Sequence, residues 1–182
     1  MQELTPRNIF ASLLNHNTPA AVAQIHGNSD YPQLFGIVSF YNTPFGGILI
    51  SVEVYGLPDN PIGKRPTNEA VIKNATSLSR MHSSHFFGMH IHETGDCTPP
   101  FDKTGNHYNP SGVQHPFHAG DMPPLLSSNG YAWMSFYTGR MRLEDIIGRS
   151  VIIHSMRDDF TSQPSGDSGT KIGCGVIQAA TT

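Results

Sequence analysis

The sequence is short of charged residues and of long apolar runs. Only 14% of its 182 residues are charged, and the formal net charge is -3. Surfaces that bind nucleic acid or anionic membranes need clustered lysine and arginine, and the 11 basic residues here form no such stripe. No apolar run approaches the ~20 residues that a helix needs to cross a bilayer. We therefore expect neither nucleic acid nor a membrane among the partners of this chain.

Cysteine is also scarce, because Cys97 and Cys174 are the only two in the chain. On the residues alone the pair is either one disulfide or two buried thiols, and the reducing cytosol would favour thiols. The N-terminus lacks the basic region and long apolar core of a secretory signal. We expect a cytoplasmic protein if Met1 is the native start, and an extracytoplasmic one if a signal peptide has been removed.

Glycine and proline are abundant, with 18 and 14 residues respectively, and the apolar runs between them are short. This composition is typical of an all-β domain with long loops rather than of a helical bundle. Residues 47–57 place apolar side chains at every second position, which is the period of a strand with one buried face. Other short runs predict strands at 20–26, 34–41, 86–93, 131–138, 150–154 and 171–177. An antiparallel sandwich or flattened barrel of about eight strands follows.

The length of the chain fits one domain with its own core. We expect this domain to span residues 20–182, preceded by an N-terminal extension over residues 1–19. Within the extension, Thr5 is a good N-cap and Pro6 a good first residue for a short amphipathic helix over 6–15.

Residues 58–85 are rich in proline, asparagine and serine, and we interpret them as a surface loop inserted into the domain. Residues 69–73 favour at most one helical turn. Three residues of this loop could lend extra metal ligands, but we interpret them as solvated side chains: Met81, His82 and His85.

Ten histidines are a further excess of this sequence, and two of them stand one residue apart in FGMHIHETGDC, residues 87–97. On a strand, His90 and His92 would share one face. Such a pair taken alone is more often solvated than functional. However, His154 ends the predicted strand 150–154, so a rigid strand can hold a third imidazole beside the pair. Three imidazoles held by strands suit copper.

The long loop over residues 94–128 holds a second candidate set, within HYNPSGVQHPFHAGD. Three imidazoles and one carboxylate satisfy a tetrahedral divalent ion such as zinc. The set comprises His107, His115, His118 and Asp121. The last three are spaced three residues apart, so a turning loop can present them together.

These segments together resemble the copper,zinc superoxide dismutase family. The similar pieces are GMHIHETGDC, HYNP, HAGDMP, GRSVIIH followed by DD, and SGDSGTKIGCGVI, and they occur in the family's order. The similarity is strong over residues 87–177 and weaker over 20–57, while 1–19 and 58–85 lie outside it. The resemblance implies an eight-stranded Greek-key β-barrel or sandwich of immunoglobulin-like type, with long metal-binding and electrostatic loops, and this agrees with the predicted strands.

The resemblance also implies a role for each candidate residue. Copper would be bound by His90, His92, His107 and His154, and zinc by His107, His115, His118 and Asp121. His107 would then bridge the two metals, one on each ring nitrogen. Asp158 would link a copper-bound imidazole to a zinc-bound one and fix their orientation. Cys97 and Cys174 would form the family's disulfide, tying the metal-binding loop to the last strand.

The implied reaction converts superoxide to dioxygen and hydrogen peroxide at the copper centre, with His107 as ligand and proton carrier and zinc in a structural role. The substrate is an anion, so positive charge near copper must guide it. The family usually has an arginine three residues before the second disulfide cysteine, where this chain has Lys171. Lysine keeps the charge but loses the planar fork of donors. Arg157 is equally well explained as part of the attracting field and as an ordinary surface residue.

Two alternatives stay open at this point. The gap between His115 and His118 is shorter than the family usually shows, and together with Lys171 it motivates a metal-binding, superoxide dismutase-like module with weak or no activity. An active enzyme is preferred, because all seven implied metal ligands are present. The sequence leaves open whether two copies pair as a homodimer.

Overall fold

The computed structural model of the chain describes residues 5–58 and 85–180, and β-strands dominate it. The strands are β1 (Ala21–Gly27), β2 (Phe35–Asn42), β3 (Ile48–Tyr55), β4 (Phe86–Phe87), β5 (Met89–His92), β6 (Leu125–Leu126), β7 (Ala132–Thr138), β8 (Ser150–His154) and β9 (Lys171–Ala179). The helix α1 (Pro6–His16) precedes them, and a single helical turn, α2 (Leu143–Ile146), lies between β7 and β8.

Seven of these strands form one antiparallel sheet in the order β5-β8-β9-β1-β2-β3-β7, and β4 pairs with β6 separately. The sheet is strongly curled, because Val38 of β2 and Val52 of β3 belong to the same buried cluster as Met89 of β5 and Ile153 of β8. Side chains from distant strands can meet in one core only if the sheet curls around it. The all-β fold class predicted from the sequence is thus confirmed, in the form of a half-barrel.

Each predicted strand region contains a strand, although region 86–93 contains two. Gly88 separates β4 from β5; its N–H donates to the Met156 carbonyl at 2.7 Å, and its own carbonyl accepts from the His154 N–H at 2.8 Å. β6 lies inside the long loop predicted over 94–128, and α2 was not predicted at all. Two-residue strands and single helical turns carry too little pattern to be detected.

The N-terminal helix occupies the segment for which the sequence predicts one. The Thr5 Oγ1 accepts a hydrogen bond from the backbone N–H of Asn8 at 3.4 Å, and Pro6 begins the first turn. Phe10 stacks on Tyr137 of β7 with ring centroids 5.5 Å apart, so the helix packs on the outer face of the sheet. In the part of the chain that the structure describes, no helix combines the length and apolar content needed to span a bilayer.

The predicted insertion lies mostly outside the described residues. These include the predicted turn over 69–73 and both Met81 and His82. His85 is described, is partly buried, and belongs to neither histidine group of the described chain. The domain boundaries at residues 19 and 58 stay predictions.

Two loops cover the outer face of β5, β8 and β9 and surround the candidate site: the first is the predicted loop over 94–128, and the second joins β8 to β9 over residues 155–170. A disulfide joins Cys97 in the first loop to Cys174 in β9, as the resemblance implies. Beside it, Phe101 of the loop packs on Ile152 and Cys174 in a small second core. The loop is therefore held to the sheet by a covalent bond and by buried apolar contact.

Candidate metal centre

The first group of donors stands on the loop-covered face of the sheet. His90 and His92 alternate with the core residues Met89 and Ile91 along β5, so both imidazoles point away from the core. β8 pairs with β5 and supplies His154, whose Nε2 lies 3.3 Å from the Nε2 of His92. Because the sheet pairs the two strands directly, donors that lie 62 residues apart in sequence become neighbours.

His154 faces this group through the plain alternation of β8. Ile152 faces the disulfide loop and Ile153 belongs to the main core, so His154 returns to the loop-covered face. The register between β8 and β9 shifts between Ile153 and His154, at the end of β8.

His107 completes the first group and also belongs to a second one. Its ring stacks on that of His90 with centroids 3.8 Å apart. The four donors of the first group lie within 4.8 Å of one another, and so do the four of the second. The two groups, which share a single residue, are His90, His92, His107 and His154, and His107, His115, His118 and Asp121.

The Asp121 carboxylate is the centre of the second group. Its Oδ1 lies 2.8 Å from Nδ1 of His107, and its Oδ2 lies 3.1 Å and 3.4 Å from the Nδ1 atoms of His115 and His118. Ligands at neighbouring corners of a zinc tetrahedron are ~3.3 Å apart, given metal–ligand bonds of ~2.0–2.1 Å. The donor atoms therefore have the spacing of a tetrahedral site.

Several buried ring nitrogens lack a hydrogen-bond partner among the described residues, which is the main test of whether metals fit. These atoms are His90 Nδ1, His107 Nε2, His115 Nδ1 and His118 Nδ1. A buried polar atom without a partner is costly. A metal ion would bind to the lone pairs of these unpartnered nitrogens. The two compact donor sets therefore fit copper and zinc, the two metals that the resemblance implies.

Asp158 connects the two groups. Its Oδ2 lies 2.8 Å from Nε2 of His90, and its Oδ1 lies 2.9 Å from Nε2 of His115. Each of these rings carries its proton on Nε2, which leaves Nδ1 free as a ligand. Burial alone would raise the pKa of Asp158, but hydrogen bonds from His90, the Phe160 N–H and His115 hold that pKa below its usual value.

Gly166 makes room for this arrangement. It adopts φ +70°, and a Cβ at this position would clash with the Asp158 carboxylate and lie 2.8 Å from His115 Nε2. A larger residue would displace the side chain that orients both histidines.

Burial keeps three imidazoles of the first group neutral, namely those of His90, His92 and His154. It lowers the pKa of His92 to about 2 and that of His154 well below the usual range. Burial also lowers the pKa of His90, although the hydrogen bond to Asp158 opposes it. Neutral imidazole is the form that binds metal ions, so the folded protein presents these ligands ready to bind.

An open cavity of about 490 Å³ leads to this group, and its wall includes His92, His107, His154 and Lys171. The Lys171 ammonium donates to the Gly105 carbonyl at 3.0 Å and to Thr104 Oγ1 at 2.9 Å. Burial lowers the pKa of Lys171, and the charges of Asp102 and Glu93 oppose this shift. Arg157 is exposed and is not among the residues that line the cavity.

The structure thus brings together every site residue that the sequence predicted except Arg157. It also shows two residues at the site that the sequence did not indicate, Gly105 and Arg140. The Gly105 carbonyl accepts from both His92 Nδ1, at 2.9 Å, and Lys171. Arg140 places Nη1 within 3.3–3.5 Å of the carbonyls of Pro116, His118 and Asp121. Both contacts use backbone carbonyl oxygens, so no side-chain motif in the sequence predicts them.

Comparison with known proteins agrees with this geometry. The family model described as copper/zinc superoxide dismutase matches residues 62–177. The chain belongs to the copper/zinc superoxide dismutase family. The match begins inside the segment predicted as an insertion. A superoxide dismutase [Cu-Zn] of Legionella pneumophila is 30% identical over 164 residues, which cover 86% of this chain and 85% of that protein.

Two solved structures share the fold. A double mutant of a superoxide dismutase-like protein from Bacillus subtilis matches 87% of this chain and 97% of its own with a TM-score of 0.67 and 25% identity. The clock protein EA4 gives the same TM-score at 22% identity and covers 91% of this chain and 98% of its own. The second likeness concerns the fold alone. Proteins of this fold therefore carry different names, and activity must be argued from the site.

Proposed function

We propose that this protein is a superoxide dismutase that converts two superoxide ions and two protons into dioxygen and hydrogen peroxide at a copper centre. The observation that carries the proposal is the position of His107, which is shared by a group of four histidines and a group of three histidines and one aspartate. Family membership supports copper and zinc as the two metals.

Each metal has a defined donor set in this proposal. His90, His92, His107 and His154 would hold copper, and His107, His115, His118 and Asp121 would hold zinc. When bound, copper would supply the one-electron redox change and zinc a fixed positive charge. His107 Nδ1 faces Asp121 while Nε2 has no hydrogen-bond partner within the described residues, so the ring can serve a different metal at each nitrogen.

The residues around the cavity would handle the anion and the protons. Lys171 contributes positive charge to the cavity wall and would attract superoxide toward His92 and His154. His107 also lines the cavity, and its Nε2 would carry a proton to the forming peroxide whenever no metal occupies that nitrogen. Asp158 would keep the His90 and His115 rings in place throughout, because it accepts a hydrogen bond from each.

A metal-binding module with little activity is the second candidate. The observation that favours it is the engagement of the Lys171 ammonium by three oxygen acceptors, namely the Phe101 and Gly105 carbonyls and Thr104 Oγ1. An ammonium has three donors in all, so few would remain for a substrate oxygen.

One experiment separates the two candidates. The purified protein is loaded with one equivalent each of copper and zinc, freed of excess metal, and assayed for superoxide dismutation and for metal content. The enzyme is expected to dismutate superoxide well above the same concentration of free copper. If the protein retains stoichiometric metal but shows no such activity, the metal-binding module is supported and the enzyme is rejected. If the protein retains neither metal, both candidates are rejected.

A further inference from the structure

A cluster of exposed apolar side chains, mostly aromatic, lies on the outer face of the sheet, on β2, β3, β7 and the residue just before β7. Phe35 and Trp133 are each 58% exposed, and three further large apolar side chains are more than a third exposed. Exposed apolar side chains are usually scattered, and a contiguous set marks a binding surface. We call this set the aromatic face; it comprises Phe35, Ile37, Tyr55, Tyr131 and Trp133.

The register of the strands makes these residues neighbours. Phe35 lies opposite Tyr55, and their rings stack with centroids 5.0 Å apart. Tyr131 continues this row, with its ring centroid 5.0 Å from that of Tyr55. In the next row Glu53 lies between Ile37 on β2 and Trp133 on β7.

Glu53 is thus surrounded by the aromatic face. Its Oε1 accepts hydrogen bonds from the hydroxyls of Tyr55, at 2.6 Å, and Tyr131, at 3.1 Å. The two tyrosines fix the carboxylate in position. No hydrogen bond or ion pair to Oε2 occurs among residues 5–58 and 85–180.

The charge of Glu53 restricts what can cover this surface. A partner that buries the rings also removes water from the carboxylate, and an uncompensated buried charge is strongly unfavourable. A second copy of the chain packed on the same face would bring a second Glu53 close to the first. A neutral ligand would leave the charge unpaired. The partner must therefore bring a positive charge to the centre of an apolar contact.

We propose that the aromatic face binds an arginine-bearing segment of another protein. The guanidinium is planar and weakly hydrated, so it can lie on an exposed ring while it donates to Oε2 of Glu53. An ammonium is more strongly hydrated and gains less from the rings. Apolar residues beside the arginine would contact Ile37 and Trp133. The site lies at the β7 end of the sheet, whereas β5 and β8 of the metal centre form the other end.

Trp133 is the only tryptophan of the chain, so intrinsic fluorescence reports directly on this surface. The metal-loaded protein is titrated with a blocked hexapeptide of alternating leucine and arginine, and then with the same peptide carrying citrulline in place of arginine. We expect a saturable change of Trp133 fluorescence with the arginine peptide and at least about tenfold weaker binding of the neutral one. The absence of a saturable change would overturn the proposal.

Two charge-removing variants make the test specific. Glu53→Gln keeps the size of the side chain and is expected to weaken binding of the arginine peptide about tenfold. Glu144→Gln removes the same charge from an exposed pair with Arg142 and is expected to leave the affinity unchanged. Equal losses in both variants would show attraction by net charge alone and would overturn the proposal. Dismutase activity should be unaffected by either change, which keeps this test separate from that of the proposed function.

Discussion

Lys171 brings a positive charge to the cavity wall, but its ammonium already donates to neutral oxygen atoms of the first loop. These contacts hold the amine in place and compete with an incoming anion. An arginine in the same position has five donors, so it could satisfy the same three acceptors and keep two donors for the superoxide anion.

We therefore expect the rate constant for superoxide to depend on both the charge and the shape of this side chain. Lys171→Gln should lower kcat/KM by ~10-fold, because it removes the guiding charge. Lys171→Arg should raise kcat/KM a few-fold. Pulse radiolysis at two ionic strengths would measure both, and the salt dependence should weaken only in the glutamine variant. If Lys171→Arg leaves turnover unchanged, charge alone suffices at this position.

Asp158 has a different role from Lys171, because it is buried and accepts hydrogen bonds from His90 and His115. Asp158→Asn replaces one acceptor oxygen with a donor, so one of the two rings must lose its hydrogen bond. We expect copper and zinc affinities to fall ~10–100-fold, as is usual when the residue orienting a metal-bound histidine is changed. Competition with a chromophoric chelator would measure this.

The neighbouring carboxylate provides a matched control. Asp159 accepts hydrogen bonds from the Thr161 and Ser162 N–H groups and from the Ser162 hydroxyl, and it touches neither histidine. Asp159→Asn should keep the metal affinities close to those of the unchanged protein. Equal losses in both variants would contradict the assigned role of Asp158 and indicate a general loosening of the loop.

The loop that carries the second donor group is held to the sheet by Arg140, which lies two residues after the end of β7. Its Nη1 approaches three carbonyls of the loop, those of Pro116, His118 and Asp121. Two of these carbonyls belong to residues of the donor group itself. Arg140 thus acts as a clasp that holds the backbone of the loop from the side of the sheet.

We expect Arg140→Ala to weaken zinc binding about fivefold while copper binding changes little. Hydrogen bonds from a charged group contribute ~1.5–3 kcal/mol, but here one nitrogen is shared among three carbonyls at 3.3–3.5 Å, so the loss is smaller. Cobalt in the zinc position would report the change through its visible spectrum, and Arg140→Lys should restore part of the affinity. Arg142→Ala is the control, because that guanidinium pairs with Glu144 and Asp145 on the surface. A cobalt spectrum unaffected by Arg140→Ala would refute the clasp.

Strands with regular alternation were predictable, and short elements were not. β3 shows its period of two over eight residues, whereas β6 has only two residues and exists because it pairs with β4. Gly88 likewise divides the fourth strand region, and its backbone partners His154 and Met156 lie far away in the sequence, so the local sequence does not encode the break.

The side-chain donors of the site were predictable as well, because histidine and aspartate at set spacings form motifs. The pairing of His90 with Asp158 came from resemblance, and its 2.8 Å contact came only from the structure. The Gly105 carbonyl and the Arg140 clasp could not be predicted. Every residue has a backbone carbonyl, and whether that carbonyl can accept a hydrogen bond at the site depends on the loop conformation, which short motifs do not determine.

The folded protein buries several neutral histidines in its interior, and its stability therefore depends on pH. In the unfolded chain their pKa values return to about 6.5. Burial lowers the pKa of His90, His92 and His154 in the folded state. Below pH 6.5 the unfolded chain therefore binds protons that the folded chain does not, and the free energy of unfolding falls with falling pH.

For the metal-free protein we expect this loss to begin near pH 6.5 and to approach ~1.4 kcal/mol per pH unit for each histidine that stays neutral. Below about pH 4 the lowered pKa values of Asp121 and Asp158 add to it, because protonation then breaks their hydrogen bonds to histidine. Urea unfolding at pH 7.5, 6.5, 5.5 and 5.0 would measure the slope. A free energy of unfolding that stays constant between pH 6.5 and 5.0 would contradict the expectation.

The pairing order of the sheet has a consequence for how the protein is made. All the donor residues have been synthesised once residue 158 is reached, yet β8, which carries His154, is flanked on one side by β9 at residues 171–179. β9 is also the strand that joins β8 to β1, so the seven-stranded sheet cannot be completed earlier in synthesis. Long-range pairing of this kind is slow compared with local structure formation. A chain interrupted before β9 therefore carries every metal ligand but lacks the strand that joins the β5–β8 pair to the rest of the sheet.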